Sequence, residues 1–255
     1  MFLKLFKYDF RAVFFKFVPM MLVMIILAIL ARITISFKMM EMVSAMINGF
    51  FVFGCFISIL YVIILCVMRY VQSLFKVQGY LTHTLPVSKE KLLLSQLLVD
   101  LIMAVIATVL VVVCLIIAYL EKSVLEGIKY LLDSLFKNVV IEIGVGSVVL
   151  VILTVIFSAV QWIFVIFLGI ALGHIPPKNR AVFSILFCIA LNYAINFASS
   201  ILMSIINMTY KNANVISTQG WVNSIFGTAL GFSIVVSIVC YFLIVYIMKK
   251  HLNLE

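Results

Sequence analysis

The sequence predicts an all-α integral membrane protein, in which an N-terminal amphipathic interfacial helix precedes six transmembrane helices and both termini are cytoplasmic. Hydrophobic residues make up 66% of the 255-residue chain and charged residues only 11%, unlike a soluble domain. Six apolar runs reach the roughly 20 residues that a helix needs to cross a ~30 Å hydrocarbon core. The runs lie near Val18–Phe37, Ser44–Val67, Leu92–Leu120, Ile143–Gly173, Ala181–Asn207 and Val222–Met248.

The positions of Lys and Arg set the predicted orientation. Of 18 such residues, twelve lie before the first run, between the second and third, between the fourth and fifth, or after the sixth. Five lie in the other connections, and the side chain of Arg32, inside the first run, is expected to reach the outer surface. The positive-inside rule therefore places both termini in the cytoplasm. The net charge of +9 fits an anionic lipid surface, and we expect no nucleic-acid partner.

Residues 2–17 are predicted to form an interfacial connecting helix before the first span. Phe2, Phe6 and Phe10 recur at helical spacing on one face. Pro19 suits the first turn of a new helix, so we expect a sharp bend between the surface helix and the first span. The cations expected to face lipid headgroups are Lys4, Lys7 and Arg11.

Two connections carry more than turn residues. The cytoplasmic loop 69–91 mixes apolar and basic side chains, and its apolar groups require cover from lipid or another protein. The external segment 121–142 alternates charges with leucines at helical spacing, which predicts a short amphipathic helix on the outer surface. Neither a repeat nor a low-complexity linker interrupts the chain, so residues 1–255 are predicted to be one transmembrane domain.

The sequence has no recognisable catalytic pattern. It lacks a phosphate-binding GxxxxGK[ST] loop, an HExxH zinc motif and a GxSxG nucleophile turn. The five cysteines lie inside apolar runs at spacings that favour neither disulfides nor zinc. We therefore expect no enzyme activity, no metal and no directly bound cofactor. Energy for uphill transport would come from a partner or an ion gradient.

Polar residues inside the spans are the candidate site residues. Asp100 is the one acid within a predicted span, and it is either a proton or cation site or, as we favour, a structural residue capped by neighbours such as Gln96 or a cytoplasmic Lys. The fifth span carries a polar stripe that could line a substrate path or a dimer seam. A weaker stripe follows the fourth span at Thr154, Ser158 and Gln161. The fifth-span stripe comprises Asn192, Asn196, Ser199, Ser200, Ser204 and Asn207.

Two GxxxG patterns occur in the chain, Gly169–Gly173 and Gly227–Gly231. Each is more typical of close helix packing than of a dimer motif.

Two segments carry a resemblance to a known family. The N-terminal Leu5–Arg11 (LFKYDFR), followed by Pro19, and above all Gly79–Ser88 (GYLTHTLPVS) resemble the membrane-permease subunit of type-2 ATP-binding-cassette (ABC) exporters from Gram-positive bacteria. The layout of surface helix, six spans and cytoplasmic termini is similar along the whole chain. The sequence is thus similar in kind to multidrug or peptide export permeases of the bacterial cytoplasmic membrane.

The resemblance implies partners and roles that the residues alone do not. Two permeases, identical or diverged, would pair in the lipid bilayer, and each would dock a cytoplasmic ATPase subunit that binds ATP and Mg. An amphipathic peptide, drug or lipid would move outward between protomers, with the second and fifth spans as walls. Alternatives are a non-transporting membrane anchor or sensor subunit, or an ion-coupled secondary transporter using Asp100. The loop residues implied to contact the ATPase are Phe75, Tyr80, Leu81, Thr82, His83 and Leu85.

Overall fold

The computed structural model describes residues 2–37, 41–74, 89–119, 144–176, 179–212 and 218–250, together with residues 126, 127, 129, 130 and 133. Within these ranges the chain forms six long helices and no strand. All six are long and apolar enough to cross a membrane, which confirms the predicted all-α, multi-pass membrane protein. The helices are α1 (Phe2–Ser36), α2 (Glu41–Leu74), α3 (Lys89–Tyr119), α4 (Val145–Gly173), α5 (Arg180–Asn212) and α6 (Thr218–Lys250).

The chain divides into two compact units, Met1–Lys129 and Tyr130–Glu255. The first unit contains α1 to α3 and the second contains α4 to α6. That residues 1–255 act as one permease domain stays a prediction. In the predicted external helix 121–142, residues 126, 127, 129, 130 and 133 are helical, and the others lie outside the described residues.

The predicted surface helix and the first span form one continuous helix. α1 runs through Pro19, so the prediction that a new helix begins near that residue is wrong. Proline removes one backbone hydrogen bond, which neighbouring groups in a membrane protein can offset. At 1.5 Å per residue, α1 is about 52 Å long and extends well beyond the hydrocarbon core.

The apolar face of residues 2–17 packs on neighbouring helices. Val13 and Phe17 belong to the core of the first unit. The ring of Phe10 stacks between those of Phe6 and Phe14, with centroid distances of 6.2 and 5.5 Å. The lipid contact of the exposed cations on the other face stays a prediction; these are Lys4, Lys7 and Arg11.

Small side chains allow the three helices of the first unit to approach closely. Ala28 and Ala31 of α1 are fully buried. Small residues at helix contacts let backbones come close, which favours packing in membranes. Arg32, next along α1, is half-buried, and its Nη1 has no hydrogen-bond partner among the described residues. The buried seam along α3 recurs every three or four positions at Val99, Met103, Ala107, Leu110, Cys114 and Ala118.

Two glycines of α4 determine its contact with α5. A Cβ on Gly169 would lie 2.4 Å from Sγ of Cys188, and one on Gly173 would lie 2.3 Å from Cα of Ser184. Only glycine fits such distances, so the prediction that this GxxxG serves close packing is confirmed. By contrast, a Cβ built on Gly231 would meet no heavy atom of the described residues within 4 Å beyond the adjacent backbone of its own helix.

Candidate functional sites: a charged cluster and an uncharged cavity

A buried ion pair joins the N-terminal segment to the end of the second helix. Asp9 of α1 is 4% exposed, and its Oδ1 accepts hydrogen bonds from Nε (3.2 Å) and Nη2 of Arg69 on α2. Its Oδ2 accepts a hydrogen bond from the Ser95 hydroxyl of α3 at 3.3 Å. Because a buried charge is tolerated when it is paired and hydrogen-bonded, Asp9 links three helices at one point.

A second link lies between α2 and α3. Gln96 donates from Nε2 to the hydroxyl of Ser73, which itself donates to the carbonyl of Tyr70 at 3.4 Å. Since a hydroxyl has one proton, this donation leaves the Ser73 oxygen to accept from the amide. Oε1 of Gln96 is buried and has no hydrogen-bond partner in the described part of the chain.

Asp100 lies one helical turn beyond Gln96 in α3. It is buried, and it lines the same narrow gap as the thiol of Cys66 and the carboxylate of Asp9. The expected neighbour Gln96 lines the same gap between the helices, and this gap does not admit a water molecule. We call the combined set the charged cluster: Asp9, Cys66, Arg69, Tyr70, Ser73, Ser95, Gln96 and Asp100.

The charged cluster lies where the chain leaves α2 and where it returns in α3. Ser73 is in the last turn of α2, and Ser95 is in the second turn of α3. The two ends of the predicted coupling loop 69–91 are therefore held by one buried network. The predicted ATPase contacts Phe75, Tyr80, Leu81, Thr82, His83 and Leu85 lie outside the described residues.

The second unit contains a polar cavity of about 260 Å³ between α4, α5 and α6. The amides of Gln161 and Asn196 line it beside Trp162, Met203 and Phe232, and none of its lining residues is charged. Its volume suits a small molecule or one group of a larger molecule. We call it the uncharged cavity. Its hydroxyl groups belong to Thr154, Ser158, Ser199, Ser200, Thr228 and Ser233.

The hydroxyl groups of the uncharged cavity offer acceptors rather than donors. All six donate to carbonyl oxygens of their own helices at 2.8 to 2.9 Å. Each hydroxyl has a single proton, so its remaining lone pairs can only accept. The side-chain amides of Gln161 and Asn196 have no partner among the described residues and can do both. The cavity therefore suits a neutral ligand with hydrogen-bond donors and apolar groups.

Part of the predicted fifth-span stripe lines this cavity. Asn196, Ser199 and Ser200 do so, whereas Asn192, Ser204 and Asn207 do not. Asn192 donates from Nδ2 to the Cys188 carbonyl of its own helix at 3.3 Å, and Ser204 and Asn207 are exposed. The stripe extends along several turns of α5, and the cavity covers only one section of it. A dimer seam along the remaining section stays a prediction.

Several site residues were missed by sequence reasoning. α6 contributes Thr228 and Ser233 to the cavity, and Thr154 also donates across to the Phe226 carbonyl of α6 at 3.2 Å. The sequence feature that could have identified them is a weak helical spacing of polar residues along the sixth span. The Asp9–Arg69 pair gave no local signal, because its members lie 60 residues apart.

Comparison of the chain with protein-family models, with curated proteins and with solved structures finds no match. The functional interpretation therefore depends on the residues themselves.

Proposed function

We propose that this chain is the membrane-permease subunit of a type-2 ABC exporter in a bacterial cytoplasmic membrane, powered by separate ATPase subunits. The observation that carries the proposal is the charged cluster. The resemblance rests on Leu5–Arg11 and Gly79–Ser88, which are distant in sequence. Through Asp9, the cluster joins Leu5–Arg11 to α2 and α3, the two helices that lie before and after Gly79–Ser88 in the chain. A permease driven by cytoplasmic ATPase subunits needs a contact that passes movement between these segments.

The coupling path begins in the loop that the ATPase would contact. Closure of the ATPase on ATP would displace the residues around Tyr80. The buried network would pass this displacement to α1 as well as to α2 and α3, since hydrogen-bonded groups in a dry gap are held to one another. The network therefore supplies a physical route from the loop to the spans.

In each permease, the uncharged cavity would form part of the substrate path. Its lining supports an amphipathic substrate whose group inside the cavity is neutral and carries hydrogen-bond donors, such as a peptide, drug or lipid. Exposed Ser204 and Asn207 are available to a second permease copy or a diverged sister. Polar side chains on a spanning helix are stabilised when another helix or a water-filled path covers them.

The proposal is tested by co-purification of the chain, in mild detergent, with the proteins encoded beside it. We expect a P-loop ATPase in the eluate, and its loss in Tyr80→Asp while the permease remains in the membrane. Tyr130→Asp is the matched control, because Tyr130 is 76% exposed and lies in the predicted external segment. Equal ATPase recovery and export in wild type and Tyr80→Asp would overturn the assigned role of the loop.

The buried carboxyl group of Asp100 favours a second candidate, an ion-coupled secondary transporter. The two candidates differ in their energy source. Export that survives ATP depletion but is lost in Asp100→Asn would support ion coupling. Export that stops on ATP depletion while the ion gradients are maintained would support the ABC exporter.

A further inference from the structure

The charged cluster contains two carboxylates and one guanidinium group, and its charges do not balance when all three are ionised. We propose that Asp100 carries a proton at neutral pH, which makes the cluster a neutral, proton-binding site. This proposal is independent of the proposed export function, since it rests on the contacts of the cluster alone.

The charge imbalance follows from the groups that face Asp100 from each helix. From α1 comes the carboxylate of Asp9, and from α2 come the thiol of Cys66, the phenol of Tyr70 and the guanidinium of Arg69. Nε and Nη2 of Arg69 both donate to Oδ1 of Asp9. Among the described residues lining the gap, no other cation is available to Asp100. An uncompensated buried carboxylate is strongly disfavoured, and neutralisation by a proton is the usual outcome.

The orphan acceptor of Gln96 is a second, independent observation. Gln96 is 2% exposed, and its Oε1 has no donor among the described residues. Gln96 and Asp100 are four residues apart on α3, and both line the gap, so their side chains are neighbours. An ionised carboxylate only accepts hydrogen bonds, whereas a protonated one has an O–H that can donate. One proton on Asp100 thus removes the excess charge and supplies a donor beside Oε1.

The width of the gap decides in favour of a proton over a larger cation. The space between the cluster side chains does not admit a sphere the size of a water molecule. A metal ion would need that space and several ligands at fixed distances. A proton needs no added volume.

Solid-state NMR of the full-length protein in lipid bilayers tests the proposal without a variant. The chain contains only three aspartates, Asp9, Asp100 and Asp133, so labelling aspartate with ¹³C at Cγ gives three carboxyl signals. Dephasing by ¹⁵N-labelled arginine identifies Asp9, which contacts Arg69. The variant Asp133→Asn identifies the exposed Asp133.

At neutral pH we expect the Asp100 signal at the chemical shift of a protonated acid and the signals of Asp9 and Asp133 at those of carboxylates. Raising the pH should move the Asp100 signal to the ionised position. An ionised Asp100 at neutral pH, or a proton on Asp9 instead, would overturn the proposal. As a second measurement, Asp100→Asn, which mimics the neutral acid, should retain the wild-type unfolding transition at neutral pH. A large loss of stability in this variant would contradict the assignment.

Discussion

The charged cluster of the first unit places Asp9, Arg69 and Asp100 beside a gap too narrow for water, whereas the cavity of the second unit has about 260 Å³ and no charged lining. Both regions place polar groups inside helices that cross a membrane. In the cluster, hydrogen bonds run between helices, from Arg69 and Ser95 to Asp9 and from Gln96 to Ser73. In the cavity, hydroxyl groups bond to their own helices and leave lone pairs free.

This difference indicates different uses. A network whose members bind each other across helices resists separation and suits the transmission of movement. Apart from the bond of Thr154 to the Phe226 carbonyl, the hydroxyl groups of the cavity are satisfied within single helices, so a ligand can enter or leave with little change to the contacts between helices. The charged cluster is therefore the better candidate for coupling, and the uncharged cavity is the better candidate for substrate.

The largest expected effect comes from breaking the ion pair in the charged cluster. Asp9→Asn leaves the partly buried guanidinium of Arg69 without its counter-ion. Removing one partner of a buried pair costs about 3–5 kcal/mol, and we expect the lower end because the Arg69 side chain is 23% exposed. Unfolding of the purified protein by a denaturing detergent measures the loss.

Two variants control this measurement. Asp9→Asn combined with Arg69→Gln removes both charges and should recover most of the stability. Asp133→Asn, the same change at an exposed site, should alter the unfolding free energy by less than about 0.5 kcal/mol. If Asp9→Asn is as stable as Asp133→Asn, the ion pair does not hold the three helices together.

The uncharged cavity was easier to anticipate from sequence than the charged cluster. Polar residues three or four apart on α4 and α5 share a face by helix geometry, so Ser158, Asn196 and Ser200 could be singled out. Which section of α5 lines the cavity depends on how α5 packs against α4, and α5 contacts α4 at Gly169 and Gly173. Tertiary packing of this kind has no local sequence signature.

The charged cluster depends on contacts between distant segments. Asp9 lies in the predicted surface helix 2–17 and Arg69 at the start of the predicted loop 69–91, and nothing in the sequence pairs them. The six spans themselves were predictable, because the length and hydrophobicity of each segment are read directly from the sequence. The continuation of α1 through Pro19 was not, since it goes with packing of Phe17 before the proline and Met24 after it into one core.

Introducing an acidic residue into the uncharged cavity tests whether the two regions differ as described. Ser233 is 2% exposed and lines the uncharged cavity. Ser233→Asp places a charge there without a cation among the lining residues, and an aspartate at the centre of a spanning helix costs about 2.5–3.5 kcal/mol on insertion scales. Detergent-induced unfolding at neutral pH should show this loss, reduced where water enters the cavity.

The neutral isostere Ser233→Asn separates charge from size. Because the folded state disfavours the charged form, the deficit of Ser233→Asp relative to Ser233→Asn should shrink as the pH falls and the carboxyl group is protonated. A deficit that is constant with pH would indicate a steric effect and would remove the contrast between the two regions.

The smallest effect concerns the contact that positions α5 beside the cavity. In Gly173→Ala the new Cβ would lie 2.3 Å from Cα of Ser184, so the backbones of α4 and α5 must separate. Overpacking of this kind costs about 1–3 kcal/mol. Gly231→Ala is the matched control, since its Cβ meets no described atom within 4 Å, and it should be neutral or slightly stabilising. Unfolding free energies that are equal for the two variants would show that the α4–α5 contact does not depend on Gly173.

Helix separation also widens the space between α4 and α5. When Ser199 is replaced by cysteine, Gly173→Ala should therefore change the rate at which a thiol reagent labels that cysteine, whereas Gly231→Ala should not.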